Sequence, residues 1–177
     1  MDIKKNYLRS QLNYFQFEND ELLINIKNDI KNKLSYLCKE DSNTILFSKN
    51  KCNSIVESFP LTNDLLLLLK DVNKLIGTQF NGLIVNYYKD GTEYSNANSN
   101  SNSYKSSINQ IAILFHGSQR KLRVRDKVNK NIVIDIPLKS GNIIYMYNNF
   151  NDELIYEIPI DKHIENEMYS FTFIQYP

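Results

Sequence analysis

Two histidines, His116 and His163, are the only imidazoles that this chain of 177 residues offers to a metal ion. His116 precedes Gly117 at the end of an apolar run, and His163 lies in the polar stretch DKHIENE. A mononuclear metal site needs its imidazole and carboxylate ligands on one face of the fold. No spacing places either histidine with a carboxylate in such a set. We therefore expect no metal centre built on these histidines, and we predict a surface or capping position for both.

A second group with possible chemistry is the basic run RKLRVRDK that begins at Arg120. If this run is a strand, alternation places Lys121, Arg123 and Arg125 on one face and two apolar side chains on the other. A basic ribbon of this kind can bind phosphates without reading bases. The run therefore predicts nucleic-acid contacts through these three side chains. A solvated strand with alternating charge is the competing interpretation.

Composition restricts the remaining classes of function. Cys38 and Cys52 lie in no CxxC or Cys/His spacing, so reduced thiols in a cytoplasmic or nuclear protein are expected. The net charge of +1 gives no bulk attraction to nucleic acid or membrane. The basic N-terminus lacks the apolar core of a signal peptide, and no run of about 18 apolar residues predicts a membrane span. Abundant Asn, Lys, Ile and Tyr indicate an AT-rich genome, as in many viruses and plasmids.

The elements that would position these residues begin with two amphipathic helices. Apolar residues recur every three or four positions over Asp20–Leu37, with Asn19 or Asp20 as the N-cap. A second helix is predicted over Thr62–Ile76, which Thr62 would cap and Gly77 would end.

After Gly77 the apolar pattern changes to that of strands separated by turns. An Asn/Ser-rich stretch, residues 95–107, reads as a low-complexity loop. Helices followed by six or seven short strands indicate an antiparallel two-sheet fold with helices on one side, in a single domain over residues 1–177. The predicted strands are Phe80–Tyr88, Asn109–Phe115, Arg120–Asp126, Ile132–Pro137, Asn142–Tyr147, Leu154–Ile158 and Tyr169–Gln175.

Six segments in order resemble the motifs of AlkB-type dioxygenases, which use Fe(II) and 2-oxoglutarate. The match is strongest from Thr78 onward. The resemblance implies an α+β double-stranded β-helix, or jelly roll, with the N-terminal helices packed on one sheet. The segments are Phe59-Pro60, FNGLIVNYYKDGTEY from Phe80, IAILFHGSQRKLRVR from Ile111, IDIPLKSGNIIYM from Ile134, LIYEIP from Leu154 and MYSFTFI from Met168.

The resemblance also implies where the iron ligands of the family would fall. The His-x-Asp pair falls on Asn98 and Asn100, and the second histidine falls on Tyr156. Neutral amides bring no charge to a metal ion, and a tyrosine would have to lose a proton whose solution pKa is about 10. These positions are therefore interpreted as a degenerate metal site, and no metal is expected.

The cosubstrate positions of the family are altered in the same way. The arginine that pairs with 2-oxoglutarate falls on Met168, and the neighbouring positions read Ser170 and Ile174. A dianion there would be desolvated without compensation. Asn86 and Tyr88 match retained 2-oxoglutarate contacts, although both residue types also fit a purely structural role. No cofactor is expected.

Two functions therefore remain open from the sequence. The first is a pseudo-dioxygenase, retained as a binding or structural module whose partner is another protein, a larger assembly or nucleic acid. The second is an active 2-oxoglutarate-dependent dioxygenase or nucleic-acid demethylase with non-standard metal ligands. No membrane partner is expected.

Overall fold

The computed structural model describes residues 12–37, 44–48, 58–95, 110–131, 133–147 and 153–175, and within these ranges it contains two helices and ten strands. The helices are α1 (Asp20–Leu37) and α2 (Asn63–Ile76). The strands are β1 (Leu12–Gln16), β2 (Thr44–Ser48), β3 (Ser58–Pro60), β4 (Gly82–Tyr88), β5 (Ile111–Gly117), β6 (Arg120–Asp126), β7 (Val133–Leu138), β8 (Asn142–Met146), β9 (Leu154–Glu157) and β10 (Met168–Ile174).

The helices form where their sequence patterns predict them. The Asn19 side chain accepts a hydrogen bond from the backbone N–H of Leu22 at 3.1 Å, which makes Asn19 the N-cap of α1. Thr62 caps α2 in the same way, through the N–H of Leu65 at 3.3 Å. Gly77 ends α2 with a φ of 81°, a conformation that favours glycine. Both predicted helices are confirmed.

The strands form two sheets, which are antiparallel except for one parallel pair. One sheet has seven strands in the order β1-β8-β5-β10-β4-β2-β3, and the other has three in the order β7-β6-β9. The parallel pair is β2 with β3, at the edge of the larger sheet. The predicted antiparallel two-sheet fold is therefore confirmed except for this one parallel pair.

The larger sheet separates two apolar cores. Both helices pack on its outer face, where Leu23 and Leu68 are fully buried, so the prediction of helices on one side is confirmed. The inner face meets the smaller sheet around Val124 and Met146. Because side chains alternate along a strand, the strands β4, β5, β8 and β10 each contribute to both cores.

The central strand β10 shows this alternation most clearly. Its outward side chains are aromatic and buried under the helices, and its inward side chains lie between the sheets. The outward set is Tyr169, Phe171 and Phe173, and the inward set includes Met168 and Ile174.

The predicted order of helices first and then strands is wrong. Three strands precede α2, and the first of them precedes α1. The edge strand β1 pairs with β8, and β2 pairs with β4, so tertiary pairing decides the conformation of β1 and β2. β3 has three residues, which is too short to give a periodic signal. Strand ends elsewhere differ from prediction by one or two residues, as is usual for boundaries.

No helix within these described ranges is both long and apolar enough to cross a membrane.

Candidate functional site

A pocket of about 150 Å³ lies between the two sheets. Its walls come from the inner faces of β4, β5 and β10, from the smaller sheet, and from the segment that follows β4. The lining residues are Asn86, Tyr87, Tyr88, Glu93, Tyr94, Ser95, Ile113, Phe115, Leu122, Tyr156, Ile158, Ser170 and Thr172.

The pocket brings together several residues that the resemblance singled out. Asn86 and Tyr88 lie on β4, Ser170 lies opposite Asn86 on β10, and Tyr156 on β9 completes the far wall. Asn86 donates a hydrogen bond from Nδ2 to Ser170 Oγ at 3.2 Å. Residues on three separate strands, which the resemblance had singled out, therefore share one cavity.

Two other predicted positions, Met168 and Ile174, do not line the pocket. Met168 and Ile174 are fully buried in the apolar core between the sheets, away from the cavity wall. Asn98 and Asn100 lie outside the described residues. The position of Met168 at the start of β10 and its pairing with Tyr88 and Gly117 explain its burial.

Tyr88 is a buried polar side chain of the pocket wall. Its residue is 4% exposed, and its hydroxyl is hydrogen-bonded to the side chains of Ser95 and Ser170. Burial raises the pKa of Tyr88, against the smaller effects of these hydrogen bonds and of the Arg120 charge. Tyr88 therefore presents a neutral phenol to the cavity at physiological pH.

The charge of the pocket lining differs from what a dianionic ligand would need. Among the described lining residues Glu93 is the one ionisable carboxylate, and there is no lysine, arginine or histidine. The Glu93 carboxylate accepts a hydrogen bond from the Lys89 backbone N–H at 2.6 Å. A carboxylate ligand entering this cavity would lose its hydration without meeting a cation among these described residues.

The donors in the described part of the pocket do not fit ferrous iron. They are hydroxyls, one amide and one carboxylate, whereas the iron of these oxygenases is held by imidazoles and a carboxylate. No group of three His, Cys, Asp or Glu side chains in the described ranges is arranged to hold a metal ion.

Arg120 is a buried residue beside the pocket whose position the sequence analysis missed. The sequence places it in the basic run, but it is only 2% exposed and shares the inner face of β6 with Leu122 and Val124. Strand alternation predicts this burial, because Arg120 lies two residues before the buried Leu122 and therefore on the same face.

The Arg120 guanidinium joins two chain segments at the mouth of the pocket, residues 89–95 and residues 158–164. It donates to the carbonyl oxygens of Asp90 at 3.1 Å, Glu93 at 2.8 Å and Pro159 at 2.8 Å. Its carbon Cζ lies 5.6 Å from the ring centroid of Tyr88, a cation–π distance. Burial lowers the pKa of Arg120, although nearby Tyr88 and carboxylates oppose this effect. We call these two segments, residues 89–95 and 158–164, the mouth segments.

Gly91 connects the same mouth segments through backbone hydrogen bonds. Its N–H donates to the Ile164 carbonyl, and the Asp161 N–H donates to the Gly91 carbonyl, both at 2.8 Å. A Cβ atom at Gly91 would overlap the Asp161 carbonyl oxygen and would lie 2.9 Å from Ile164 Cβ. Ser95 and Ile158 form a further backbone bridge between the two segments.

The basic face of β6 is arranged as alternation predicts, but its two arginines are paired. Arg123 makes two hydrogen bonds of 2.7 Å with Asp135, and Arg125 contacts Glu157 at 2.7 Å. The hydrogen bond from Arg123 lowers the pKa of Asp135, against a smaller effect of burial. A phosphate that recruited either arginine would first have to displace its carboxylate. Nucleic-acid contact through Lys121, Arg123 and Arg125 stays a prediction.

The expected surface or cap position is wrong for His116 and confirmed for His163. His116 is 9% exposed, lies on the helix side of β5, and has its Nδ1 2.9 Å from Ser140 Oγ. The apolar neighbours of β5 explain this, because the strand is buried over both faces. His163 is exposed in the turn after Asp161.

The burial of His116 predicts that stability falls in mild acid. Burial lowers the pKa of His116, and the Lys27 charge acts in the same direction, against Asp20 and Glu167. The unfolded chain therefore takes up this proton more readily than the folded chain, so stability present above about pH 6.5 is lost as the pH falls. We expect the urea midpoint to decrease from about pH 7 to about pH 5.

His163→Gln is the matched control for that prediction, because His163 is exposed. The His116→Gln variant should show a flatter midpoint-against-pH curve, whatever its absolute stability. A curve that flattens in His163→Gln and keeps its slope in His116→Gln would contradict the assignment.

Of the comparisons with known proteins, only the one with solved structures bears on this architecture. No protein-family model and no curated protein matches the chain. Among solved structures, the structure of OsALKBH1, an AlkB homologue, is similar, with a TM-score of 0.59 and 10% sequence identity. The match covers 93% of this chain and 98% of that chain. At this low identity the likeness shows the fold alone, and that fold is AlkB-like.

Proposed function

We propose that this chain is a catalytically inactive AlkB-like protein, a single jelly-roll domain over residues 1–177 that has been retained as a binding or structural module. Its sheets form the double-stranded β-helix of that family, and its metal and 2-oxoglutarate positions are degenerate. Its partner is a protein, a larger assembly or a nucleic acid.

The observation that carries the proposal is the composition of the pocket. The cavity is present, and Asn86 and Tyr88 still face it, but its described lining offers no cation to a dicarboxylate. Tyr156 stands where the resemblance puts an iron-binding imidazole. Burying an uncompensated dianion there would cost several kcal/mol, which weakens cosubstrate binding by orders of magnitude.

An iron and turnover assay tests the proposal. The full chain, stripped with a chelator, is titrated anaerobically with Fe(II) and then given 2-oxoglutarate and oxygen, with succinate measured by mass spectrometry. We expect no stoichiometric Fe(II) binding and no succinate above the level of heat-denatured protein.

Stoichiometric Fe(II) binding together with succinate release would support the alternative, an active dioxygenase with non-standard ligands. In that case Tyr156→Phe, which removes only the hydroxyl oxygen, identifies the ligand. Loss of both signals in this variant would assign the metal to Tyr156, and unchanged signals would move the site elsewhere in the chain.

A further inference from the structure

The size of the pocket restricts the ligand that it can take. A cavity of about 150 Å³ has room for one six-membered ring with a small substituent. Protein cavities of about this size are known to bind benzene when their walls are apolar. A larger ligand would have to extend past Tyr94, which is 57% exposed at the mouth.

The walls combine ring surfaces with groups that both donate and accept hydrogen bonds. Phe115, Tyr88 and Tyr156 supply aromatic surface, which favours a flat ligand. Ser170 and Thr172 add hydroxyls, and a hydroxyl serves either role. A ligand buried here must therefore satisfy polar groups as well as fill space, because an unpaired buried polar group is costly.

The charges around the pocket oppose each other. Glu93 disfavours an anion, and no described lining residue is a cation. The Arg120 guanidinium lies behind the Tyr88 ring, outside the lining, and is bound to three carbonyl oxygens. It disfavours a cationic ligand without being available as the counterion of an anionic one. The local field therefore favours neither sign of charge.

We propose that this pocket binds an uncharged, planar ligand of single-ring size that both donates and accepts hydrogen bonds, such as an aromatic amide. This inference rests on the proposed function, because it names the ligand class for the pocket that the inactive protein retains. The ring lies between the aromatic walls, and its polar group contacts Ser170 or Thr172.

A series of three probes with almost the same shape and different charge tests the ligand class. Benzamide is neutral, benzoate is an anion and benzamidinium is a cation, so differences in affinity report the charge preference of the site. Binding to the full chain is measured by saturation-transfer NMR and by titration. We expect a roughly millimolar Kd for benzamide and binding on the order of tenfold weaker for both ions.

Two exposed tyrosines provide a matched pair of variants. Tyr94 lines the pocket and is 57% exposed, whereas Tyr14 on the edge strand β1 is 53% exposed and does not line it. Tyr94→Ala should weaken benzamide binding about fivefold through loss of ring contact. Tyr14→Ala should leave that binding unchanged, with the thermal midpoint of each variant confirming that it is folded.

Each other outcome contradicts the ligand proposal in a distinct way. Tighter binding of benzoate would mean that Arg120 acts as a counterion, and tighter binding of benzamidinium would mean that Glu93 dominates. Equal weakening in both tyrosine variants would show nonspecific association. Failure of all three probes to bind would overturn the ligand class and leave the proposed function standing, because that is judged by Fe(II) and succinate.

Discussion

Replacement of Arg120 by methionine should lower the free energy of unfolding by about 3–5 kcal/mol, as measured by urea denaturation. Methionine keeps most of the aliphatic volume but cannot donate to the carbonyls of Asp90, Glu93 and Pro159. Those three oxygens would lose a partner, and the two mouth segments would lose their shared side-chain link. Because small domains are stable by only about 5–15 kcal/mol, this is a large share of the total.

Lys121→Met is the control for Arg120→Met, since it removes a cation from the adjacent residue of the same strand. The Lys121 side chain is exposed, so its replacement should change stability by less than about 0.5 kcal/mol. An Arg120→Lys variant should fall between the two, because one ammonium cannot span three carbonyls as a guanidinium does. Equal effects at positions 120 and 121 would contradict the role given to Arg120.

The second large effect is expected for Gly91→Ala, which should lower the free energy of unfolding by roughly 3 kcal/mol or more. The new Cβ would overlap the Asp161 carbonyl oxygen, and the obstacle is backbone rather than a flexible side chain. The mouth segments would have to separate, which would break the hydrogen bonds of Gly91 with Asp161 and Ile164. Urea denaturation measures the loss, and faster amide exchange at Asp161 would locate it.

Gly77→Ala distinguishes steric overlap from conformational strain. Gly77 has a φ of 81°, and a Cβ atom at this position would meet no other atom within 4 Å. Alanine there therefore carries only the cost of the left-handed conformation, about 1–2 kcal/mol. Gly91→Ala should be the more damaging change. The reverse order would mean that the mouth segments can separate without a large loss of stability.

The sequence predicts most clearly the elements whose signals are local. The residues of α1 and α2 are specified by apolar spacing and by caps at Asn19, Thr62 and Gly77, and the structure has all of them. The strand β6 is predicted with the same ends that it has in the structure. By contrast, β1 and β2 are short and pair with strands far along the chain, and β3 has only three residues, so no local pattern predicts them.

The residues of the candidate site likewise divide into those that could be predicted and those that could not. That Asn86, Tyr88, Tyr156 and Ser170 share a pocket could be expected only from the family resemblance, because they lie on three strands that are distant in the sequence. The role of Arg120 was hidden because a charged run is normally read as solvated, and burial of a guanidinium depends on carbonyls supplied by other segments. The ion pairs of Arg123 and Arg125 likewise depend on the register of β7 and β9.

The alternation along β10 has a consequence for how this protein can change over time. Its outward aromatic residues hold the helices, while its inward residues Ser170 and Thr172 face the cavity. Substitutions in the cavity therefore leave the helix-side core untouched, and most of the burial that stabilises the fold persists. A lineage can lose or replace the chemistry of the cavity without losing the scaffold, and a protein engineer can rebuild that wall one alternate residue at a time.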